Sequence, residues 1–152
     1  MRKALILVAV LAVTAATLVT AAAARTAASS ERVLIERSGG SFVLMPTSTG
    51  AIGRDTGTFS ACCWSTRHAV VAGQRLEVND PHLTLTGANG TLNLRNRIEW
   101  VDVPDGWGIF TGTWKVVGGT GAYAGVSGHG RVEGVSTAGG YTRANLFGFL
   151  TK

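Results

Sequence analysis

The sequence predicts an all-β fold, a small closed antiparallel β-barrel of about eight strands, and three observations carry that prediction. Short alternations of apolar and polar residues fill the chain after residue 28, and none shows helical periodicity with capping residues. Glycine-rich turns separate these alternations, and all 21 glycines lie beyond residue 24, roughly twice the average usage for that stretch. Strand follows strand with no segment long enough for a crossover helix, so the pairing must be antiparallel. About eight strands in roughly 120 residues close most naturally into a barrel, with a two-sheet sandwich as the second solution.

The elements follow in chain order. Arg2 and Lys3 precede an unbroken apolar run over residues 4–13 and a Thr/Ala-rich stretch that ends in small residues. This is the pattern of a secretory signal peptide over residues 1–24, with cleavage after Ala24 or after Ala28. The rival reading is an uncleaved membrane anchor, but the dense Leu/Ile/Val part spans only ten residues. The mature chain then divides into an N-terminal segment with the first strand, 25–40, and the barrel domain, 41–152. Removing the leader lowers the apolar content from 45% to about 39%, and the basic and acidic counts from 14 and 9 to 12 and 9. Those values exclude a multidomain chain, a polytopic membrane protein and a disordered tail. The mature bases are scattered singly, so no nucleic-acid partner is expected, and membrane contact is expected only through an uncleaved leader.

Strands are expected at 32–36, 41–45, 57–64, 68–71, 74–78, 82–86, 91–103, 108–117, 130–136 and 142–150, some merging with neighbours. Leu83-x-Leu85 and Leu92-x-Leu94 flank Gly87-Ala88-Asn89-Gly90, whose Asn-Gly pair suits a tight hairpin with positive φ. Val103-Pro104-Asp105-Gly106 is a turn between the two longest strands. On that long hairpin Leu92, Leu94, Ile98 and Trp100 share one face with Phe110, Gly112, Trp114 and Val116 on the return strand. Asn93, Arg95, Arg97 and Glu99 take the other. The apolar face is ordinary core on one reading. On the other, Trp100, Phe110 and Trp114 wall a ligand cavity, with Arg97 or Glu99 as polar contacts if the faces are reversed.

Chemistry-bearing motifs are sparse. Gly119-Thr120-Gly121-Ala122-Tyr123-Ala124 matches a dinucleotide fingerprint in form, but Gly125-Val126-Ser127-Gly128 cannot open the helix that would hold the pyrophosphate. It reads as turns and bulges. Cys62 and Cys63 are the only cysteines. Adjacent strand positions point to opposite faces, which favours one residue inward and one outward. An intermolecular bridge and a vicinal disulfide remain open. His68, His82 and His129 lack zinc-ligand spacing, so neither a metal nor any other cofactor is expected. A Cys63–His68 nucleophile pair is conceivable, and Glu77, Glu99 and Glu133 are carboxylates that nothing in the sequence pairs.

Gly53-Arg54-Asp55-Thr56-Gly57-Thr58-Phe59, Leu83-Thr84-Leu85, Gly90-Thr91-Leu92 and Val117-Gly118-Gly119-Thr120-Gly121-Ala122-Tyr123-Ala124-Gly125 together resemble the allene oxide cyclase and dirigent superfamily. The chain is most similar there to exported bacterial members with a GGTGAYAG-like segment. The resemblance covers about residues 50–135. It implies a calycin-like eight-stranded barrel with a hydrophobic central cavity, and a homo-oligomer, a trimer in the plant proteins.

The function expected is therefore that of an exported barrel protein binding a small apolar or aromatic molecule. Two alternatives stay open. One is a cofactor-free isomerase, cyclase or dirigent-like protein acting on an apolar substrate. The other is a non-catalytic structural or interaction module of the cell envelope. The residues favour a non-enzymatic role over a catalytic one, and no catalytic residue is assigned.

Overall fold

The computed structural model describes residues 28–137 and 142–152, and the leader expected over residues 1–24 lies outside them. Ten strands follow in order: β1 Ser30–Ser38, β2 Ser41–Pro46, β3 Asp55–Cys62, β4 Thr66–Val71 and β5 Gln74–Asn79. Then come β6 His82–Gly87, β7 Gly90–Val103, β8 Trp107–Gly119, β9 Ser127–Ser136 and β10 Thr142–Thr151. Eight of them form a closed antiparallel ring in the order β7–β6–β3–β2–β1–β10–β9–β8, with β8 pairing back onto β7. The ring includes β1, so the barrel begins at Ser30. The remaining two, β4 and β5, form a hairpin that leaves the barrel where β5 pairs Glu77–Asn79 with the far part of β7.

Alternation sets the faces. Val33 and Ile35, Phe42 and Leu44, Leu83 and Leu85, and Leu92 and Leu94 point inward and are almost wholly buried. Arg95, Arg97 and Glu99 point outward and are exposed. The expected strand over 57–64 stops at Cys62, because Cys63 takes a φ of +60°, which an extended strand cannot hold. Its partner side breaks at the same level, at Asp80-Pro81, where the Asp80 N–H donates to Ser65 O at 3.1 Å.

Glycine has two uses: seven glycines, Gly39, Gly73, Gly106 and Gly125 among them, take the positive φ that the turn reading implies, and others lie inside strands. One register irregularity falls in the β7–β8 pair, where Asn93 faces Gly118 and Leu94 faces Val116, so that Val117 of β8 is the extra residue, while several strand glycines serve as floors for large side chains. Trp114 lies against Gly130 and Gly148, Phe110 against Gly134, and Trp100 against Gly108, each at a spot where a Cβ would collide with the ring. Trp114 is 2% exposed, and its indole Nε1–H donates to Arg131 O at 3.0 Å and Phe147 O at 3.2 Å. A large aromatic thus fills space that small residues leave, and its polar atom is satisfied on the same backbone.

One end of the barrel is closed by polar anchors. The Glu31 carboxylate, buried at the start of β1, accepts the N–H groups of Ala51 and Ile52 and draws the 47–54 loop inward. Buried Asp55 accepts N–H bonds from Thr56 at 2.9 Å, Ala88 at 3.0 Å and Asn89 at 3.3 Å. It also accepts the Tyr123 hydroxyl at 2.9 Å. Desolvation, and then the hydrogen bond to Asp55, hold the Tyr123 phenol well above its usual pKa. The β6–β7 turn differs from the expected Asn-Gly geometry. Ala88 and Asn89 occupy its corners, and only Gly90 takes a positive φ, +128°. The Asp55 carboxylate holds the turn by its N–H groups instead.

Adding a methyl group at Gly148 forces Trp114, His129 O or Gly130 to move, so Gly148→Ala is expected to cost at least about 2 kcal/mol in urea denaturation. Gly118→Ala, where the added carbon meets nothing closer than the Asn93 amide at 3.9 Å, is expected to stay within about 0.5 kcal/mol of the parent. Equal effects at the two sites would contradict the floor role.

Candidate functional site

The opposite end of the barrel has no comparable plug of anchored loops among the described residues. Here the interior holds a cavity of about 250 Å³. Its wall comes from inward positions near the ends of the strands: Arg37 on β1, Phe59 on β3, Asn96, Ile98 and Trp100 on β7, and Phe110 on β8. Trp100 and Phe110 face each other across the β7–β8 pair and stack, with ring centroids 5.4 Å apart and planes 8° from parallel. The Trp100 indole N–H donates to Asp102 at 2.9 Å, which fixes the ring against the wall.

Trp100 and Phe110 therefore line the cavity, as the alternation suggested. Trp114 shares their face but sits deeper, in the packed middle of the barrel with Ile35, Leu44, Leu94 and Leu146, and is not part of the cavity lining. Arg97 and Glu99 lie on the outer surface of β7, away from the cavity. Inward-facing β7 is the apolar face, so the reversed arrangement that would bring them into contact with a ligand does not arise.

Two polar residues that the sequence pattern did not single out reach the cavity instead. Arg37 continues the inward parity of Val33 and Ile35 and is 8% exposed. Its guanidinium lies over the Phe59 ring, 4.0 Å from the centroid, and forms no hydrogen bond or ion pair with any described residue. Burial lowers its pKa to about 10, which leaves it a cation at neutral pH. Asn96 continues the parity of Leu94 and Ile98, is 2% exposed, and has a side-chain oxygen with no partner.

The wall also includes Ala61 and Trp64, which flank Cys62 and Cys63. Of the three arrangements open for the cysteines, the structure has the bridge between the two neighbours. Both residues are exposed, because the chain departs from the barrel sheet at this point, so neither faces the core. The bridge occupies the Cys63 sulfur that a Cys63–His68 nucleophile pair would need. His68 itself sits on the projecting hairpin, 3.8 Å from Glu77 and 3.3 Å from Arg75.

No carboxylate or histidine contributes to the described cavity wall. The buried carboxylates Glu31 and Asp55 both belong to the plugged end, where backbone N–H groups saturate them. Glu99 and Glu133 are exposed on the outer face. The segment 119–124 likewise forms no helix start: Gly121–Tyr123 is a single 3-10 turn with Tyr123 buried against Asp55. A wider depression of about 760 Å³ lies outside the barrel, over Phe147 and Phe149 of β10. Set against protein-family models, curated proteins and solved structures, the chain matches none.

Arg37 carries an energetic cost. Lowering its pKa from 12.5 to about 10 corresponds to roughly 3 kcal/mol of unfavourable burial, and stacking on Phe59 returns up to about 2 kcal/mol. Arg37→Met keeps an apolar stem and removes the charge, so it is expected to raise the unfolding free energy by about 1 kcal/mol in urea titration. A loss of 2 kcal/mol or more would mean that Arg37 is a structural support.

Proposed function

We propose that this chain is an exported β-barrel protein of the allene oxide cyclase and dirigent kind that binds a small apolar or aromatic molecule at the cavity end. The observation that carries the reading is the 250 Å³ space bounded by the Trp100–Phe110 stack, inside a barrel whose other half is packed solid. An apolar cavity of about 150 Å³ already accepts benzene, so this one suits a single ring with a few substituents. The basic and apolar leader over residues 1–24 supports export.

The motifs behind the family resemblance support the barrel type, and they reach both ends of it: Phe59 and Leu83 line the cavity. Asp55 of the first segment and Tyr123 of the last meet in one hydrogen bond at the plugged end. A cofactor-free cyclase would need an acid or base facing its substrate, and the described wall offers none. That favours binding over catalysis.

Titration with p-cresol is expected to give a saturable change in tryptophan fluorescence and to raise the melting temperature. Trp100→Ala is expected to weaken this binding at least tenfold, since it removes one ring of the Trp100–Phe110 stack. Absence of saturation across a panel of one-ring aromatics would sink the reading. For the leader, N-terminal sequencing of protein recovered outside the cytoplasm is expected to start at Arg25 or Ser29, whereas retention of Met1 contradicts export by cleavage.

A further inference from the structure

The cavity presents two unsatisfied groups of opposite hydrogen-bonding character. Arg37 offers donors and Asn96 offers an acceptor, both more than nine-tenths buried, and they form no bond to each other. The Phe59 ring does not change this for Arg37. A ring stacked on a guanidinium engages its face, whereas the N–H donors lie in its plane and point past the ring edge. Buried polar groups are ordinarily paired, and each one left unpaired by the protein destabilises the fold. Arg37 is also the only charged side chain in the described wall, so no carboxylate of the barrel competes for it.

From this geometry we infer that the ligand of the cavity is a small aromatic carboxylate, held with its carboxylate on Arg37 and its ring against Trp100 and Phe110. The inference rests on the binding role proposed above and adds the chemical class. A carboxylate matches the guanidinium fork in shape and charge, and a neutral ligand would leave that charge desolvated. The Asn96 oxygen, with nothing donating to it, suits a ring hydroxyl. Ring, carboxylate and hydroxyl together are compatible with the 250 Å³ available.

The test is calorimetric titration of the full mature protein with 4-hydroxybenzoate and with its neutral isostere 4-hydroxybenzamide, at neutral pH. The acid is expected to bind at least tenfold more tightly than the amide. Arg37→Met should abolish that preference by weakening the acid while leaving the amide unchanged. Arg37→Lys, which keeps a charge and loses the fork, should retain part of the preference and provides the comparison should the methionine variant misfold. Removing the ring hydroxyl, by using benzoate, should weaken binding in the parent protein and leave Asn96→Leu indifferent.

If the amide binds as well as the acid, the anion preference is overturned while the aromatic-binding role stands. If the acid binds tightly but Arg37→Met does not alter it, the assigned contact is overturned. If neither compound binds and p-cresol does not either, both readings fail together.

Discussion

Closing eight strands into a ring fixes the width of the interior, and the rest of the molecule follows from how that space is occupied. The β7–β8 pairing, which runs from Leu92 and Gly119 to Val103 and Trp107, completes the ring and leaves no room for a second layer. Only inward positions can fill it. In the middle of the barrel they do so with large groups: Trp114 lies over the bare backbone of Gly130 and Gly148, while Ile35, Leu44 and Leu146 pack beside it. Nearer one end the inward positions are Arg37, Asn96, Trp100 and Phe110, and the same ring width leaves a hollow.

Polar groups are divided between the ends in an uneven way. At the plugged end, the carboxylates of Glu31 and Asp55 gather N–H donors from two loops and from Thr56, and Asp55 also accepts the Tyr123 hydroxyl. Those charges are matched by oriented dipoles, so burying them organises the turns at little net cost. At the cavity end the guanidinium of Arg37 has a ring beneath it and no acceptor in its plane among the described residues. The buried polar groups are thus paired at one end and left with unused hydrogen-bonding capacity at the other, a contrast that supports the binding role proposed for the cavity end.

Much of this was readable in advance. Period-2 alternation and glycine-rich breaks located all ten strands within a few residues, and the parity of Leu92, Leu94, Ile98 and Trp100 identified the inner face. The site was only half legible. Parity reports the face and not the depth, which is why Trp114 and Phe110 looked equivalent although one is core and the other cavity wall. Arg37 and Asn96 obey the same parity as their apolar neighbours, but a charged or amide residue in a strand reads first as solvent-facing. The bond between Asp55 and Tyr123 joins residues 68 apart, a separation at which no local pattern speaks.

The pairing of β1 with β10 sets the order in which this barrel can assemble. Ser30 lies opposite Thr151, and the N–H of Lys152 reaches Ser29 O, so the first and last strands of the ring are neighbours. Until β10 is present, the sheet has two open edges, at β1 and β9, and the hollow has no complete wall. A chain delivered end first must therefore wait for its final strand before the ring can close. Contacts that span the whole sequence also make closure slow, and the protein is most exposed to wrong partners during that interval.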